Sequence, residues 1–141
     1  MCGIVGLFLK DPKLEPRLGQ LLTDMLVTMT DRGPDSAGIA IYSGAEEGQA
    51  KLTLQSASPE TDFADLDVAL AKAIGAPVSI AVKSTHAVVE LPAGKRDAAR
   101  QALASHRPAI KVMSAGESIE IFKEVGLPKD VAARFEVAKM S

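Results

Sequence analysis

Between Lys51 and Met113 the spacing of apolar residues changes in a fixed order, and that order constrains the fold more than any other feature of the chain. Lys51–Gln55 reads as a strand, and a helix from Asp62 carries Phe63, Leu66, Leu70 and Ile74 on one side before Gly75 closes it. Val78, Ile80 and Val82 then alternate with smaller or polar residues, and Ala87–Leu91 follows as a second strand-like run. A helix over Lys95–His106 leads into a last strand, Ile110–Met113. The predicted order is β-α-β-β-α-β, the split βαβ arrangement whose sheet can cover two helices within about sixty residues.

Residues 51–113 therefore read as an inserted ferredoxin-like unit, and the flanks read as parts of something else. Gly3–Leu9 is continuous, β-branched and aromatic, which predicts a buried strand bounded by Asp11-Pro12. From Pro16 onward Leu18, Leu21, Leu22, Met25, Leu26 and Met29 form one helical stripe that should stop at Asp31-Arg32-Gly33-Pro34. A strand over Gly38–Ser43 follows. Beyond the inserted unit come a turn at Ser114–Ser118, a strand at Ile119–Phe122 and a short helix opened by Pro128 with Val131 and Phe135 inward. The expected class is α+β.

Composition narrows the function. The chain has 141 residues, 47% of them hydrophobic and 24% charged, which suffices for a packed core. A net charge of -2 with no basic run excludes nucleic acid as a main partner. The apolar stretch Ile4–Leu9 is too short for a signal peptide or a membrane span, so no membrane role and a cytoplasmic location are expected. One cysteine forms no internal disulfide, and with only His86 and His106 beside it no metal site is expected. Both histidines read as structural or solvent-facing, and Asp62, Asp65 and Asp67 as carboxylates favoured by a helix start. No glycine-rich phosphate loop is present and no cofactor is expected.

The position of that cysteine is informative. Cys2 follows the initiator Met1, and a side chain this small permits methionine removal, which would put a thiol and a free α-amine on one residue. Such an amine titrates at about 7.7 to 8.0, so a good part is neutral near physiological pH and can take the thiol proton. The second feature is the compact turn Asp31-Arg-Gly-Pro-Asp-Ser-Ala-Gly38, placed to return beside the start of the chain. Taken alone, Cys2 also reads as a small apolar residue and the turn as an ordinary helix stop.

Together, Met1-Cys-Gly-Ile-Val-Gly6 and Asp31-Arg-Gly-Pro-Asp-Ser-Ala-Gly38 resemble the class II glutamine amidotransferases, which are N-terminal-nucleophile (Ntn) hydrolases. The resemblance implies an αββα sandwich of which residues 1–141 are the N-terminal part. It also implies Cys2 as the nucleophile that forms a glutamyl thioester from L-glutamine and releases ammonia. The family's Arg-Gly pair beside the nucleophile falls on Arg32 and Gly33, which would shape the substrate pocket. With the stretch Ser114–Pro128, the chain is similar to stand-alone amidotransferase subunits of glutamate-synthase-like systems, which implies a synthase partner that uses the ammonia.

The family's His-x-Arg motif, Asn-Gly oxyanion pair and substrate-binding Asp have no counterpart in the chain, which contains no Asn. Loss of an oxyanion donor costs about 100- to 1000-fold in rate. Too few residues remain outside 51–113 for two facing sheets, so the chain reads as a truncated part that is inactive alone. Two other readings stand beside this one: a non-catalytic binding or regulatory module built on residues 51–113, and a different N-terminal-nucleophile amidase.

Overall fold

Strand β2, Gln49–Gln55, lies inside a four-stranded sheet and is buried on both faces, because every second side chain points to the same side. The computed structural model describes residues 3–42, 44 and 46–141. These divide into two units: residues up to Ile39 together with Lys123–Ser141, and Ala40–Phe122. Strand β1, Ser36–Tyr42, pairs with β6, Ile119–Val125, in a two-stranded sheet, and the division between units falls within both strands.

In the Ala40–Phe122 unit, β2 is joined by β3 (Ser79–Lys83), β4 (His86–Pro92) and β5 (Lys111–Gly116) in the order β3-β4-β2-β5. Each neighbouring pair is antiparallel, with Leu52 opposite Val89 and Ala115. The helices are α2 (Pro59–Asp62) and α3 (Leu66–Ile74) between β2 and β3, and α4 (Arg96–His106) between β4 and β5. Each helical crossover thus joins two parallel strands with one antiparallel strand between them.

One face of the sheet is apolar. Ala50, Leu52 and Leu54 of β2 and Ala87, Val89 and Leu91 of β4 close over Phe63, Leu66, Leu70, Ile74, Ala99 and Leu103 in a single core. The spacing 66, 70, 74 is the helical stripe that such a face needs. The other face is mainly polar and partly buried: Thr53, His86, Ser114 and Val88 are buried, while Lys51 and Gln55 are half-buried. Ser114 Oγ donates to Thr53 Oγ1 at 2.9 Å, and the Ile121 N–H of β6 donates to the same oxygen at 3.2 Å. Lys51 Nζ reaches Glu120 at 2.9 Å and Glu90 at 3.7 Å. Phe122, fully buried, lies with its ring 5.8 Å from that of His86. Side chains, not a ladder, therefore hold β6 on this face of β2.

In the other unit α1 (Leu18–Thr28) follows a 3-10 turn over Pro12–Arg17 and packs on α5 (Pro128–Arg134) and a closing 3-10 turn, Val137–Lys139. The contact is backbone to backbone. The Gly19 N–H donates to the Met140 carbonyl at 2.9 Å, and a Cβ at Gly19 would strike the Val137 and Met140 backbones. Val131 and Phe135 are buried here, as the stripe expected after Pro128 predicts, and so is Val137 of the closing turn. A second short 3-10 turn, Thr30–Arg32, ends at Gly33 and stops the first helical region where the sequence places the stop.

Several expectations are corrected. Gly3–Leu9 is not a strand: no ladder includes it among the described residues, although Val5, Leu7 and Leu9 are half-buried in alternation with exposed neighbours. The segment keeps the period of a strand without the hydrogen-bonding neighbour that defines one, and leaves Ile4 94% and Phe8 85% exposed. The strand expected to end at Ser43 runs instead over Ser36–Tyr42, and Ser43 itself lies outside the described residues. The helix expected from Asp62 onward is broken in two, because Asp65 adopts a left-handed conformation (φ 53°), which Asp tolerates better than most residues. Asp62 belongs to the end of α2 and accepts a hydrogen bond from the Ser56 hydroxyl. The turn expected at Ser114–Ser118 is mostly strand, since Ser114, Ala115 and Gly116 pair with Thr53, Leu52 and Lys51. No helix among the described residues is long and apolar enough to cross a membrane.

Two substitutions test these contacts. Thr53→Val, which leaves the Ile121 amide without its acceptor while the Ser114 hydroxyl keeps the Ile119 carbonyl, is expected to cost about 1–3 kcal/mol in urea unfolding. Gly19→Ala is expected to cost a similar amount, about 1–3 kcal/mol, by overpacking. The Gly19→Ala loss should coincide with faster amide exchange at Lys139 and Met140, while the amides of β2 stay protected.

Candidate functional site

The closest approach in the site is at Gly3, where the tip of the Met29 side chain and Arg32 Cβ crowd the backbone. A Cβ there would collide with Met29 Cε and lie 3.1 Å from Arg32 Cβ. The residue that follows Cys2 therefore rests on the 3-10 turn that carries Arg32. Cys2 itself lies outside the described residues.

Around this contact opens a cleft of about 300 Å³, wholly within the unit formed by the two chain ends. Gly3, Leu26 and Met29 form one side, Arg32, Gly33, Asp35 and Ser36 another, and Pro128 closes it from the start of α5. Each wall has a local cause. The helical stripe of α1 ends in Leu26 and Met29, the Gly33-Pro34 pair prevents the helix from continuing, and Pro128 is fixed by its place in the first turn of α5. The Gly126 N–H, donating to the Asp35 carbonyl at 2.9 Å, ties the segment before α5 to the turn.

Gly33 is informative because nothing inside the protein requires it. Its φ of -165° is extended backbone open to any residue, and a Cβ would meet nothing nearer than the Ser36 carbonyl at 4.0 Å. The missing side chain leaves space in the cleft rather than relieving a clash. Arg32 is exposed and lines the cleft.

The sequence placed Arg32 and Gly33 on this turn, and the structure brings both to one cleft with Gly3. Asp35 and Ser36 lie inside the motif that drew attention to the turn, but carry no signal distinguishing them from turn formers. Pro128 and Met29 were not legible as site residues. Pro128 is distant along the chain, and Met29 reads as an ordinary member of an apolar stripe. The remaining candidates lie elsewhere. His86 is buried in β4 with Nδ1 3.1 Å from Thr85 Oγ1, and His106 is exposed at the end of α4. Among the described residues no group of three His, Cys, Asp or Glu could hold a metal ion.

No family model matches the chain. It is 66% identical over 140 residues to the glutamine amidotransferase-like protein GlxB of Rhizobium meliloti strain 1021, an alignment covering 99% of this chain and 46% of that protein. It is 30% identical over 149 residues to a putative glutamine amidotransferase of Methanothermobacter thermautotrophicus, covering 96% of this chain and 47% of that one. The chain thus spans about half the length of the curated relatives it matches. Both relatives carry glutamine amidotransferase names, and each similarity runs over nearly all of this chain.

The Gly3 contact makes a testable demand. Gly3→Ala is expected to move the amide resonances of Met29 to Gly33 while leaving those of β2–β5 in place. Shortening the neighbour, in Gly3→Ala with Met29→Ala, should restore Arg32 and Gly33 toward their original positions. Unmoved resonances in the single variant would show that residue 3 does not rest on the Arg32 turn.

Proposed function

We propose that the chain carries the nucleophile-bearing part of a class II glutamine amidotransferase, built as an N-terminal-nucleophile hydrolase. The observation that supports this reading best is the contact of Gly3 with Arg32 beside the open space at Gly33, because it brings the neighbour of Cys2 to the Arg-Gly turn. The similarity to proteins named as glutamine amidotransferases supports L-glutamine as the substrate.

In the proposed reaction Met1 is removed and the α-amine of Cys2 takes the thiol proton. The thiolate attacks the carbon of the glutamine side-chain amide, the C–N bond breaks, and the protonated amine returns a proton to the departing ammonia. Water then attacks the thioester, with the same amine as base, to give glutamate and the free thiol. Arg32 orients the nucleophile, and the absent side chain of Gly33 leaves room for substrate. No metal or cofactor is needed for this sequence of steps.

We further read the Ala40–Phe122 unit as a ferredoxin-like insertion around residues 51–113, supported by the strand order β3-β4-β2-β5 and the two crossovers. The flanks, residues 1–50 and 114–141, belong in this reading to an αββα sandwich, for which the two-stranded sheet of β1 and β6 supplies a part. The ammonia passes to a synthase subunit of glutamate-synthase type in the cytoplasm. Turnover depends on groups that residues 1–141 do not supply, since the relatives are about twice as long and the oxyanion donors the reaction needs are worth about 100- to 1000-fold in rate.

The experiment is active-site labelling of the 141-residue chain with a glutamine-mimicking diazoketone, read by intact mass and peptide mapping. The expected result is loss of Met1 and a single adduct on Cys2 that glutamine suppresses. In the full-length protein Cys2→Ala should remove glutaminase activity, and Gly33→Ala should reduce it at least about tenfold with no loss of thermal stability. Retained activity in Cys2→Ala would overturn the mechanism.

A further inference from the structure

Helices α3 and α4 cover one face of the four-stranded sheet, and on their solvent side they leave a groove of about 400 Å³ within the Ala40–Phe122 unit. Leu66 and Leu70 lie beneath it, closed into the core, and its accessible apolar lining is Ala69 and Ala73 of α3 with Ala102 of α4. The rim carries Lys72, His106 and Arg107 and no carboxylate. Among the described residues none of these three side chains is in an ion pair. A helix C-terminus favours a cation in its last turn, which explains Lys72 and His106 taken singly. It does not explain why the cations of two helices border one apolar groove that the protein leaves unfilled.

We propose that this groove is a binding site for a small amphiphilic carboxylate, with its apolar part on Ala69, Ala73 and Ala102 and its carboxylate at Arg107 and Lys72. Size favours a small molecule over a protein partner. A volume of about 400 Å³ falls within the roughly 300–1,000 Å³ usual for small-ligand sites. The strips of α3 and α4 together, nine and eleven residues long and about 10 Å wide, come to about 300 Å², below the roughly 800 Å² per partner of a stable protein interface. Charge decides the rest, because a guanidinium at the edge of an apolar surface can hold a carboxylate by paired, charge-assisted hydrogen bonds. The site is separate from the cleft at Gly3 and Arg32 and does not rest on the glutaminase reading.

The test titrates the isotope-labelled 141-residue chain with octanoate below its micelle concentration and follows backbone amide shifts. Octylamine and octan-1-ol serve as cationic and neutral probes of equal chain length. Saturable shifts confined to residues 66–73 and 102–107 are expected with octanoate, and binding at least about tenfold weaker with the other two. Lys72→Gln combined with Arg107→Gln should weaken octanoate by a similar factor with an unchanged circular dichroism spectrum. Ala73→Phe, at an exposed position, should fill the groove and remove the shifts. Equal binding of octanoate and octylamine, octanoate binding indifferent to the charge-neutralised variant, shifts located elsewhere, or concentration-dependent dimerisation through α3 and α4 would each overturn the proposal.

Discussion

Burial of β2 on both faces is the constraint on which the larger unit depends. Its even-numbered residues Ala50, Leu52 and Leu54 complete an apolar core with α3 and α4, while Thr53 on the opposite face, with Lys51 beside it, takes polar partners. A strand in this position cannot slip by one residue, because the slip would put Thr53 and Lys51 into the core and leave the leucines against hydroxyls and carboxylates. Register is therefore fixed by chemistry, and the strands on either side inherit it through the pairs Leu52–Val89 and Leu52–Ala115. The polar face also explains how β6 is held. A strand attached by the Thr53 and Ser114 hydroxyls, the Lys51–Glu120 ion pair and the Phe122 ring needs no continuous ladder on that side.

In the unit built from the two chain ends, close approach at glycines works beside the burial of Val131, Phe135 and Val137. Gly19 admits the backbone of Val137–Met140 against α1, and Gly3 admits Met29 and Arg32. These two glycines differ in kind from Gly33, whose missing side chain leaves space for something outside the protein.

The proposed chemistry fits this division. A nucleophile one residue from the chain start needs a rigid neighbour, and Gly3 against the Arg32 turn supplies one. The exposed side chains of Ile4 and Phe8 flank it on a segment with the alternation of a strand and no partner among the described residues. The groove between α3 and α4 lies on an element of different construction, with a complete core beneath it, so a ligand there would meet a preformed surface.

How much was legible can be read from particular residues. The order of elements in 51–113, the stop at Gly33-Pro34 and the inward stripe of Val131 and Phe135 follow from local periodicity and from the backbone limits of Gly and Pro, which act within a few residues. Arg32 and Gly33 were legible because the turn that holds them is a short contiguous motif. Three features belong to tertiary structure alone. Gly3–Leu9 has strand composition, yet a strand exists only with a hydrogen-bonding neighbour. Ser114-Ala-Gly116 has turn composition and is strand because β2 lies beside it. Pro128 and Met29 became walls of a cleft because folding brings them to Gly3. The sequence by itself determined the main helical stripes and the stop at Gly33-Pro34, since those depend on each residue's own backbone and immediate neighbours. Which strands pair and which distant residues line a cavity was decided only in three dimensions, because those free energies belong to contacts between residues far apart in the chain.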